Sequence, residues 1–551
     1  MIDRIGVLLG LFLWASAAPG QDATTILQGG TIWTGDSLQP YVEAVAVRDG
    51  RILAVGDREA LAGYRGPQTR VVDLAGQFMM PGFIDDHAHF TAGGFQLQSV
   101  DLRDAETEEE FARRIGEHAR GAPGRWITGG DWDHDRWPGG ALPTRALVDS
   151  LTPKTPVFVS RYDGHMGLAN SVALRLAGIT AATPDPPGGT IVRDPRSGEP
   201  TGVLKDEAMG MVFSQIPPPT AAERLDAARR ALAEARRCGV TSIQDISSWE
   251  DVVAYQDLKE QGELTARLYC RLPIGLWKEL ADQHIRAGTG DDWIVLGSLK
   301  AFADGSLGSS TALFFEPYDS DPGTRGLPSD IVIDGRLRSW ARAADSCGLQ
   351  LSIHAIGDSA NHLILDLFEE IVRANPRWDR RFRIEHAQHL RRDDLDRFAR
   401  LGVIASAQPY HAIDDGRWAE GRIGAARCRM AYPFRSFLDH GVRLAFGSDW
   451  TVAPLDPILG VYAAVTRRTT DGKNPGGWYP EEKITVEEAL RAYTIAGAYA
   501  AFEEHKKGTI APGKLADFTV LSEDPFRVDP SDLSRIDVVM TIVDGRLVYQ
   551  R

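Results

Sequence analysis

The middle of the chain alternates between two patterns of hydrophobic residues. Short continuous apolar runs, typical of strands buried on both faces, are separated by segments in which apolar residues recur with helical spacing. The strand candidates are residues 78–85, 240–246, 266–274, 294–302, 349–356, 382–386, 403–407 and 442–446. Eight strand–helix units of this kind predict an α/β fold, a (β/α)8 TIM barrel. A doubly wound sheet is the alternative, although no G-x-G-x-x-G turn follows an early strand.

Both ends of the chain carry short apolar runs separated by turns. Asp49-Gly50 lies between two such runs and predicts a β-hairpin. The runs at 517–521 and 538–543, followed by Asp544-Gly545, show the same pattern of short apolar runs and turn residues. Because the termini of one domain often lie close in space, we expect residues 21–77 and 506–551 to form one small β-sandwich-like domain. The barrel then covers residues 78–505.

Residues 97–218 interrupt the alternation between the first and second barrel strands. They include Trp126, Trp132 and Trp137 and a run rich in proline and glycine at 183–189. An insertion in a strand-to-helix connection lies at the face of a barrel where active sites form. We therefore expect a substrate lid, and the tryptophans favour an apolar or aromatic substituent on the substrate. A packing subdomain without substrate contact is the alternative.

The first twenty residues differ from the rest of the chain. Arg4 precedes an apolar run at 5–14, and Ala15-Ser16-Ala17 has the A-x-A pattern of a cleavage site. The run is shorter than the roughly 20 apolar residues that cross a bilayer. It therefore predicts a cleaved signal peptide over residues 1–20, rather than a buried helix or a membrane anchor, and a periplasmic or secreted protein.

Composition limits the classes of partner. The 551 residues are 43% hydrophobic and carry a formal net charge of −15, without a basic block. This balance supports a large core, argues against nucleic acid or an anionic membrane as partner, and otherwise implies mainly solubility. The four cysteines contain no C-x-x-C pair, which argues against a thiolate zinc site. A homo-oligomer is compatible with the sequence, which also leaves the disulfide state open.

Side chains that bind metals recur where the barrel strands end. His87 and His89 are two residues apart at the end of the first strand, so both point to the same side. Later strand ends carry Lys300, His354, His386 and Asp449. Because active sites of this fold gather at the C-terminal strand ends, these residues predict one divalent-metal site. Zinc suits the ligands best, while iron, manganese or cobalt is compatible with the same ligand types.

The motifs around these residues resemble those of the metal-dependent amidohydrolase superfamily, in particular the branch (amidohydrolase family 3) that includes N-substituted formamide deformylases. They are Pro81-Gly-Phe-Ile-Asp-Asp-His-Ala-His89, Asp163-Gly-His165, Lys300-Ala-Phe-Ala-Asp304-Gly-Ser-Leu-Gly-Ser309, Ile353-His-Ala-Ile-Gly-Asp358, Ile384-Glu-His386-Ala, Gly447-Ser-Asp449 and Gly508-Thr-Ile-Ala-Pro-Gly-Lys-Leu-Ala-Asp517. Together they span nearly everything after the leader. One departure is Ser310, where relatives commonly carry an arginine.

The resemblance implies a hydrolase that cleaves a non-peptide carbon–nitrogen bond (an amide, N-acyl or N-formyl bond) of a small-molecule substrate through a metal-bound hydroxide. In that branch the matching lysine can be carboxylated by CO2 and bridge two metals. One metal would then take His87, His89, the Lys300 carbamate and Asp449, and the other the carbamate, His354 and His386. Asp449 would transfer a proton to the leaving amine. A mononuclear site with unmodified Lys300 is the alternative.

Four further side chains are candidates for contact with the substrate. His165 lies in a tight turn after an apolar run, and we expect it to donate a hydrogen bond to the developing oxyanion, with a structural histidine as the alternative. Asn170 is expected to support His165. Asp304 is expected to contact the substrate or to hold a nearby loop. His411 is at most a substrate contact.

Two other kinds of function stay open at this point. An esterase or a deaminase would use the same activated hydroxide. A secreted binding or regulatory protein would retain the scaffold without its activity, because fold alone does not establish catalysis. The unbroken set of ligand candidates argues against the second alternative.

Overall fold

The computed structural model describes residues 22–121 and 124–551. The predicted signal peptide, residues 1–20, therefore lies outside the described residues. The strands are β1 (Thr25–Trp33), β2 (Tyr41–Arg48), β3 (Arg51–Gly56), β4 (Arg70–Asp73), β5 (Phe78–Pro81), β6 (Phe83–Ala88), β7 (Gly130–Trp132), β8 (Phe158–Arg161), β9 (Met166–Ala169), β10 (Gly189–Arg193), β11 (Pro200–Asp206), β12 (Val240–Ile246), β13 (Arg267–Pro273), β14 (Thr289–Gly290), β15 (Ile294–Phe302), β16 (Gln350–Ala355), β17 (Arg383–His386), β18 (Ile404–Ala407), β19 (Leu444–Phe446), β20 (Phe518–Leu521), β21 (Val538–Val543) and β22 (Arg546–Gln550).

The helices are α1 (Arg58–Leu61), α2 (Phe90–Gln96), α3 (Glu108–Gly121), α4 (Ala146–Asp149), α5 (Ser171–Leu176), α6 (Gly210–Phe213), α7 (Ala221–Arg237), α8 (Trp249–Glu260), α9 (Trp277–Asp282), α10 (Asp330–Ile333), α11 (Arg336–Ser346), α12 (Asp358–Ala374), α13 (Leu395–Leu401), α14 (Pro409–Asp415), α15 (Ala419–Cys428), α16 (Phe434–Asp439), α17 (Pro457–Thr466), α18 (Val486–Arg491) and α19 (Gly497–Ala500). Short 3-10 helices occur at several connections, including Ala62–Tyr64 and Ile274–Leu276. A π-helical turn at Ala492–Ala496 precedes α19.

Eight parallel strands form a nearly closed barrel, in the order β6, β12, β13, β15, β16, β17, β18 and β19. Two hydrogen bonds of 2.6 Å join the last strand to the first: the Asp449 N–H donates to the His87 carbonyl, and the His89 N–H donates to the Trp450 carbonyl. The largest apolar cluster fills the barrel and the layer between its strands and helices. The predicted α/β barrel is confirmed.

The first predicted strand, residues 78–85, is divided between two sheets. Phe78–Pro81 pairs with β1 and β20 outside the barrel, and the barrel strand begins at Phe83. Gly82 lies at the division, where any side chain would collide with Thr241 of β12. The sequence did not reveal the break because both halves are buried, and a continuous apolar run has no period that separates them.

Strands from both chain ends share one eight-stranded sheet. Its path is β22, β21, β20, β5, β1, β2 and β3, and β4 pairs with β1. The antiparallel pairing of β20 with β5 joins the C-terminal segment to the N-terminal one. Since hydrogen bonds connect all eight strands in one sheet, the expected β-sandwich-like arrangement is not confirmed. Asp49 and Gly50, with φ of 49° and 73°, form the predicted hairpin turn between β2 and β3.

The segment between β6 and β12 contains a five-stranded sheet of its own, in the order β10, β11, β9, β8 and β7. Two apolar clusters pack against this sheet. Trp132 and Trp137 are buried in one of the clusters, so these two tryptophans pack the insertion rather than contact a ligand. Trp126 instead lines the large cavity over the barrel.

Within the described ranges, no helix is long and apolar enough to cross a membrane. The four cysteines are free. Burial raises the pKa of the thiols of Cys238, Cys270 and Cys428, which are therefore unreactive core side chains at neutral pH.

A buried ion pair joins the barrel to the sheet of the chain ends. Arg267 of β13 donates hydrogen bonds of 2.6 and 2.9 Å to the two carboxylate oxygens of Asp517, which directly precedes β20. The two side chains are only 1% and 4% exposed. Where the barrel meets this sheet, each of the two buried charges therefore has the other as its partner in place of water.

Arg267→Ala should lower the free energy of unfolding by about 3–5 kcal/mol, because the Asp517 carboxylate stays buried without its counter-ion. The urea midpoint of unfolding measures this loss. The control Arg527→Ala removes an ion pair of 3.2 Å with Asp524 in which the arginine is 81% exposed, and it should cost less than about 1 kcal/mol. Equal losses in the two variants would contradict a special role of the buried pair.

Candidate metal centre

The predicted ligands converge at the C-terminal ends of the barrel strands. They come from five strand ends: His87 and His89 at β6, Lys300 in β15, His354 in β16, His386 at the end of β17, and Asp449 after β19. Nε2 of His89 and Nε2 of His87 lie 3.4 and 3.5 Å from Oδ1 of Asp449. Nζ of Lys300 lies 3.4 Å from Nε2 of His87.

These spacings fit a metal ion. Two ligand atoms that each lie about 2.1 Å from a tetrahedral zinc are roughly 3.4 Å apart. Oδ1 of Asp449 is buried and has no hydrogen-bond partner among the described residues. A buried oxygen without a partner destabilises a protein, and a bound cation would remove that cost. His87, His89 and Asp449 therefore form a donor set for a divalent metal.

In three buried histidines, one ring nitrogen contacts another group of the protein, and the second ring nitrogen remains available to a metal. The partners are Glu385 for Nδ1 of His87, Gln408 Oε1 at 2.7 Å for Nδ1 of His386, and the Gly305 carbonyl at 3.1 Å for Nε2 of His354. Such contacts fix the tautomer and the ring orientation of metal-binding histidines. The nitrogens that remain for a metal are Nε2 of His87 and His386 and Nδ1 of His354.

The charge states of these residues suit metal binding. Burial lowers the pKa of His87, His354 and His386 and so favours the loss of their protons, which metal binding requires. Burial opposes ionisation of Asp449, but its neighbouring histidines hold the pKa of the carboxyl well below its usual range. The centre thus presents neutral imidazoles and an ionised carboxylate, the forms that coordinate metals.

Glu385 is a supporting residue that no motif in the sequence singled out. Its fully buried carboxylate contacts Nδ1 of His87 and lies 2.8 Å from Nε of Arg383 and 2.9 Å from Nη1 of Arg271. Burial opposes its ionisation, but the two arginines hold the pKa of Glu385 well below its usual range. The one signal in the sequence was a charged residue inside an apolar strand, which is costly to bury without a partner.

The backbone is strained where the ligands are attached. His386, Ala387 and Asp449 have φ of 72°, 42° and 57°, a region that non-glycine residues seldom adopt. Gly447 is required nearby, because a Cβ at that position would collide with the backbone nitrogen of His87. The last strand therefore approaches the first closely enough for Asp449 to reach the histidines of β6.

The centre lies at the floor of a cavity of about 920 Å³. The barrel contributes His89, Lys300, His354, His386, His411 and Asp449. The insertion contributes Trp126, Asp131, Arg161, Tyr162, Asp163, His165 and Phe213. The insertion thus forms part of the cavity wall above the predicted metal ligands.

His165 reaches the centre from the insertion. Its ring centroid lies 5.2 Å from that of His354, and its Nδ1 lies 2.7 Å from Oδ1 of Asp206. Burial alone would lower the pKa of His165, but the hydrogen bond and the charge of Asp206 raise it. Asp206 stands at the end of β11, far from His165 in the sequence, and no local pattern connects the two.

The structure corrects the prediction for Asn170. The side chain is fully buried inside the insertion and does not line the cavity above the centre. Its Oδ1 accepts hydrogen bonds from the N–H groups of Val157 and Ala173, and its Nδ2 donates to Thr152 and Thr155. Asn170 therefore caps α5 and has no group left for a substrate or for His165.

Asp304 lies beside His354, and His411 lies beside Asp449. The Asp304 carboxylate accepts hydrogen bonds of 2.7–3.0 Å from the N–H groups of Leu313, Ile356 and Gly357, so it holds loops in place. Its Oδ1 also lies 3.4 Å from Nε2 of His354. Nε2 of His411 lies 3.9 Å from Oδ2 of Asp449 and has no hydrogen-bond partner in the described part of the chain. His411 is thus close enough to join the metal ligands.

Comparisons with known proteins agree with this geometry. Residues 70–549 match the Amidohydrolase family. Protein LONG AFTER FAR-RED 3 of Arabidopsis thaliana is 41% identical over 543 residues, which covers 96% of this chain and 92% of that protein. The N-substituted formamide deformylase of Arthrobacter pascens is 30% identical over 541 residues, which covers 94% of this chain and 97% of that protein.

A solved structure supports the same assignment. An uncharacterized metal-dependent hydrolase from Pyrococcus horikoshii superposes with a TM-score of 0.74 and 29% identity, over 92% of this chain and 99% of that one. The fold match and the sequence similarity each cover almost the whole chain, and the geometry of the predicted ligands agrees with both. The chain therefore belongs to the metal-dependent amidohydrolase family and is a hydrolase of carbon–nitrogen bonds.

Proposed function

We propose that this hydrolase cleaves the amide bond of a small N-acyl or N-formyl amine that is not a peptide. The observation that carries the proposal is the unpartnered Oδ1 of Asp449 between two imidazole nitrogens at the floor of a cavity. The similarity to an N-substituted formamide deformylase supports the choice of bond. An esterase or a deaminase would use the same centre and differ only in the substrate.

Two divalent metals, preferably zinc, fit the donor set in this proposal. His87, His89 and Asp449 would hold one, and His354 and His386 would hold the other, with His411 adjacent. A metal bound here supplies a water of lowered pKa and polarises the carbonyl oxygen of the substrate.

Lys300 is proposed to carry a carbamate, whose oxygens would help to hold the two metals. Burial lowers the pKa of Lys300 to about 7, so the uncharged amine that reacts with CO2 is populated at neutral pH. A cationic lysine 3.4 Å from a metal-binding nitrogen would be repelled by the metals, whereas a carbamate offers them anionic oxygens. Both observations support the modified form.

Asp449 is the proposed proton carrier. It takes a proton from the attacking water and delivers that proton to the leaving nitrogen. A C–O bond forms, the C–N bond breaks, and the products are a carboxylic acid and an amine. The ionised state of Asp449 supports this role, because only the ionised carboxylate accepts a proton.

His165 is proposed to stabilise the negative charge that develops on the carbonyl oxygen. Asp206 holds Nδ1 of His165 and leaves Nε2 as the nitrogen that can donate to that oxygen. The raised pKa of His165 favours the protonated, donating form.

We further propose that the protein is exported by the N-terminal segment 1–20 to the periplasm or the medium, and that the insertion, about residues 97–218, acts as a lid over the substrate. The A-x-A pattern at Ala15-Ser16-Ala17 supports export. The residues that the insertion contributes to the cavity wall support the second proposal.

Zinc-loaded protein should bind at least about one metal per chain and release amine from a panel of N-formyl, N-acyl and cyclic amides. A chelator should abolish the activity, and added zinc should restore it, because water without a metal is too weak an acid to attack at neutral pH. Metal analysis and amine release measure the two effects. A fully loaded protein that cleaves none of these amides would refute the proposed function.

Lys300→Ala should reduce the metal content from two to about one per chain and lower kcat by at least about 100-fold, because the bridge is lost. A carbamate signal from ¹³C-labelled bicarbonate should disappear in the same variant. The control is Lys507→Ala, which removes another buried lysine, 2.6 Å from Glu503 and remote from the centre. The control should keep its metal, and wild-type turnover in Lys300→Ala would exclude the carbamate.

Asp449→Asn should fold normally and lower kcat by about 100- to 10,000-fold, because the amide cannot accept the proton. Circular dichroism checks the fold, and metal analysis separates lost proton transfer from lost metal. If the variant retains its metal and a near-normal kcat, Asp449 is not the proton carrier.

A further inference from the structure

A second cavity, of about 500 Å³, lies beside the large one. We call it the second chamber and define it by Ile246, Ile274, Gly275, Ile331 and Trp340. These residues belong to or follow β12 and β13, or lie on α10 and α11. The second chamber therefore lies over a different part of the barrel from the histidines of β16 and β17.

The candidate metal centre lies where the two cavities meet. Lys300, His165 and Phe302 line both cavities, whereas Asp449 lines only the large one. The Phe302 ring, whose centroid lies 4.5 Å from Nζ of Lys300, is 38% exposed, which is unusual for a phenylalanine at the end of a barrel strand. Phe302 and His165 thus form a partition with the centre at its base.

The chemistry of the second chamber suits an apolar group. Its wall includes three isoleucines, Trp340 and Phe302. Its carboxylates contact other groups: Oδ1 of Asp206 binds His165, Asp304 binds backbone N–H groups, and Asp330 binds Arg336, while the buried Oδ2 of Asp206 has no partner among the described residues. Glu207 stands at the exposed edge. Apart from Oδ2 of Asp206 and the amine of Lys300, the inner surface thus offers mainly apolar contact area.

We propose that the second chamber binds the acyl group of the substrate, while the amine lies in the large cavity. The inference rests on the proposed function, because Asp449 must reach the leaving nitrogen to protonate it, and Asp449 faces the large cavity alone. The alkyl chain of the acyl group is attached to the carbonyl carbon opposite the nitrogen, so it would extend past Phe302 and His165. The substrate class is an amide whose apolar acyl group has several carbons, larger than formyl.

The reaction itself is unchanged by this placement. One water is consumed, the C–O bond forms as the C–N bond breaks, and the proton goes to the amine in the large cavity. The carboxylic acid is left in the second chamber. No further reactant is required.

An acyl series tests the proposal on the zinc-loaded protein. The formyl, acetyl, butanoyl and hexanoyl amides of 4-nitroaniline share one leaving amine and differ only in the acyl group. After correction for the rate of each amide in hydroxide alone, kcat/KM should rise at least about tenfold from formyl to hexanoyl, since each buried methylene contributes roughly fourfold.

Gly275→Leu tests whether the second chamber is the place where the acyl group binds. A Cβ on Gly275 would meet only the Trp340 ring, at 3.7 Å, so the new side chain enters the chamber without displacing backbone. The ratio of kcat/KM for hexanoyl to that for acetyl should fall at least about tenfold. Trp340→Ala, which widens the chamber, should shift the preference toward longer acyl groups.

The matched control is Gly63→Leu. Gly63 is also the middle residue of a three-residue 3-10 helix, Ala62–Tyr64, but no atom lies within 4 Å of its Cβ position and it is remote from the barrel. Its hexanoyl-to-acetyl ratio should equal that of the wild type.

The outcomes separate this inference from the proposed function. Hydrolysis that declines with acyl length, together with a ratio unaffected by Gly275→Leu and Trp340→Ala, overturns the second chamber as the acyl site and leaves the proposed function standing. A loaded protein that cleaves none of the four amides overturns this inference, and it overturns the proposed function as well if the wider panel of N-formyl, N-acyl and cyclic amides also stays intact. If Gly275→Leu does not fold, the wild-type series and Trp340→Ala decide the question.

Discussion

The centre depends on one buried carboxylate. Glu385 fixes His87, and its charge is tolerated inside the barrel because Arg271 and Arg383 lie against it, with all three side chains fully buried. An ionic group in a protein interior is costly unless it is paired and hydrogen-bonded. Loss of any one of the three residues would therefore leave buried charge without its partner. The layer of the barrel beneath the metal ligands is therefore ionic, where such barrels usually have branched apolar side chains.

The same network ties the barrel strands to one another. Arg271 donates to the Gln244 carbonyl of β12 at 2.8 Å, and Arg383 reaches Asp86 of β6 at 2.9 Å and Ser406 of β18 at 3.0 Å. These contacts cross the interior from one side of the ring to the other. Metal-binding geometry and barrel closure are thus coupled, because a shift of any of these strands would leave a buried charge without its partner.

The insertion is held over the centre by a second set of buried charges. Arg161, fully buried, lies 2.7 Å from Asp135 and 2.7 Å from Asp163. Asp133 in turn lies 2.9 Å from Arg417, which follows α14 of the barrel. The cavity wall above the metal ligands is therefore anchored to the barrel by ion pairs. In a family whose members share a metal centre, specificity resides in such walls rather than in the centre itself.

The sequence by itself determined the barrel and most of the candidate ligands. Continuous apolar runs marked seven of the eight barrel strands closely, and His87, His89, Lys300, His354, His386 and Asp449 were recognisable because parallel strands end at one face. Only the tertiary structure separated β5 from β6, because two buried strands in succession share one apolar run. It alone showed that His165 pairs with Asp206, that Asn170 lies in the core of the insertion, and that Glu385 contacts His87 across the barrel. Each of these contacts joins residues that are distant in the chain, and local periodicity carries no information about which distant side chains share a buried charge.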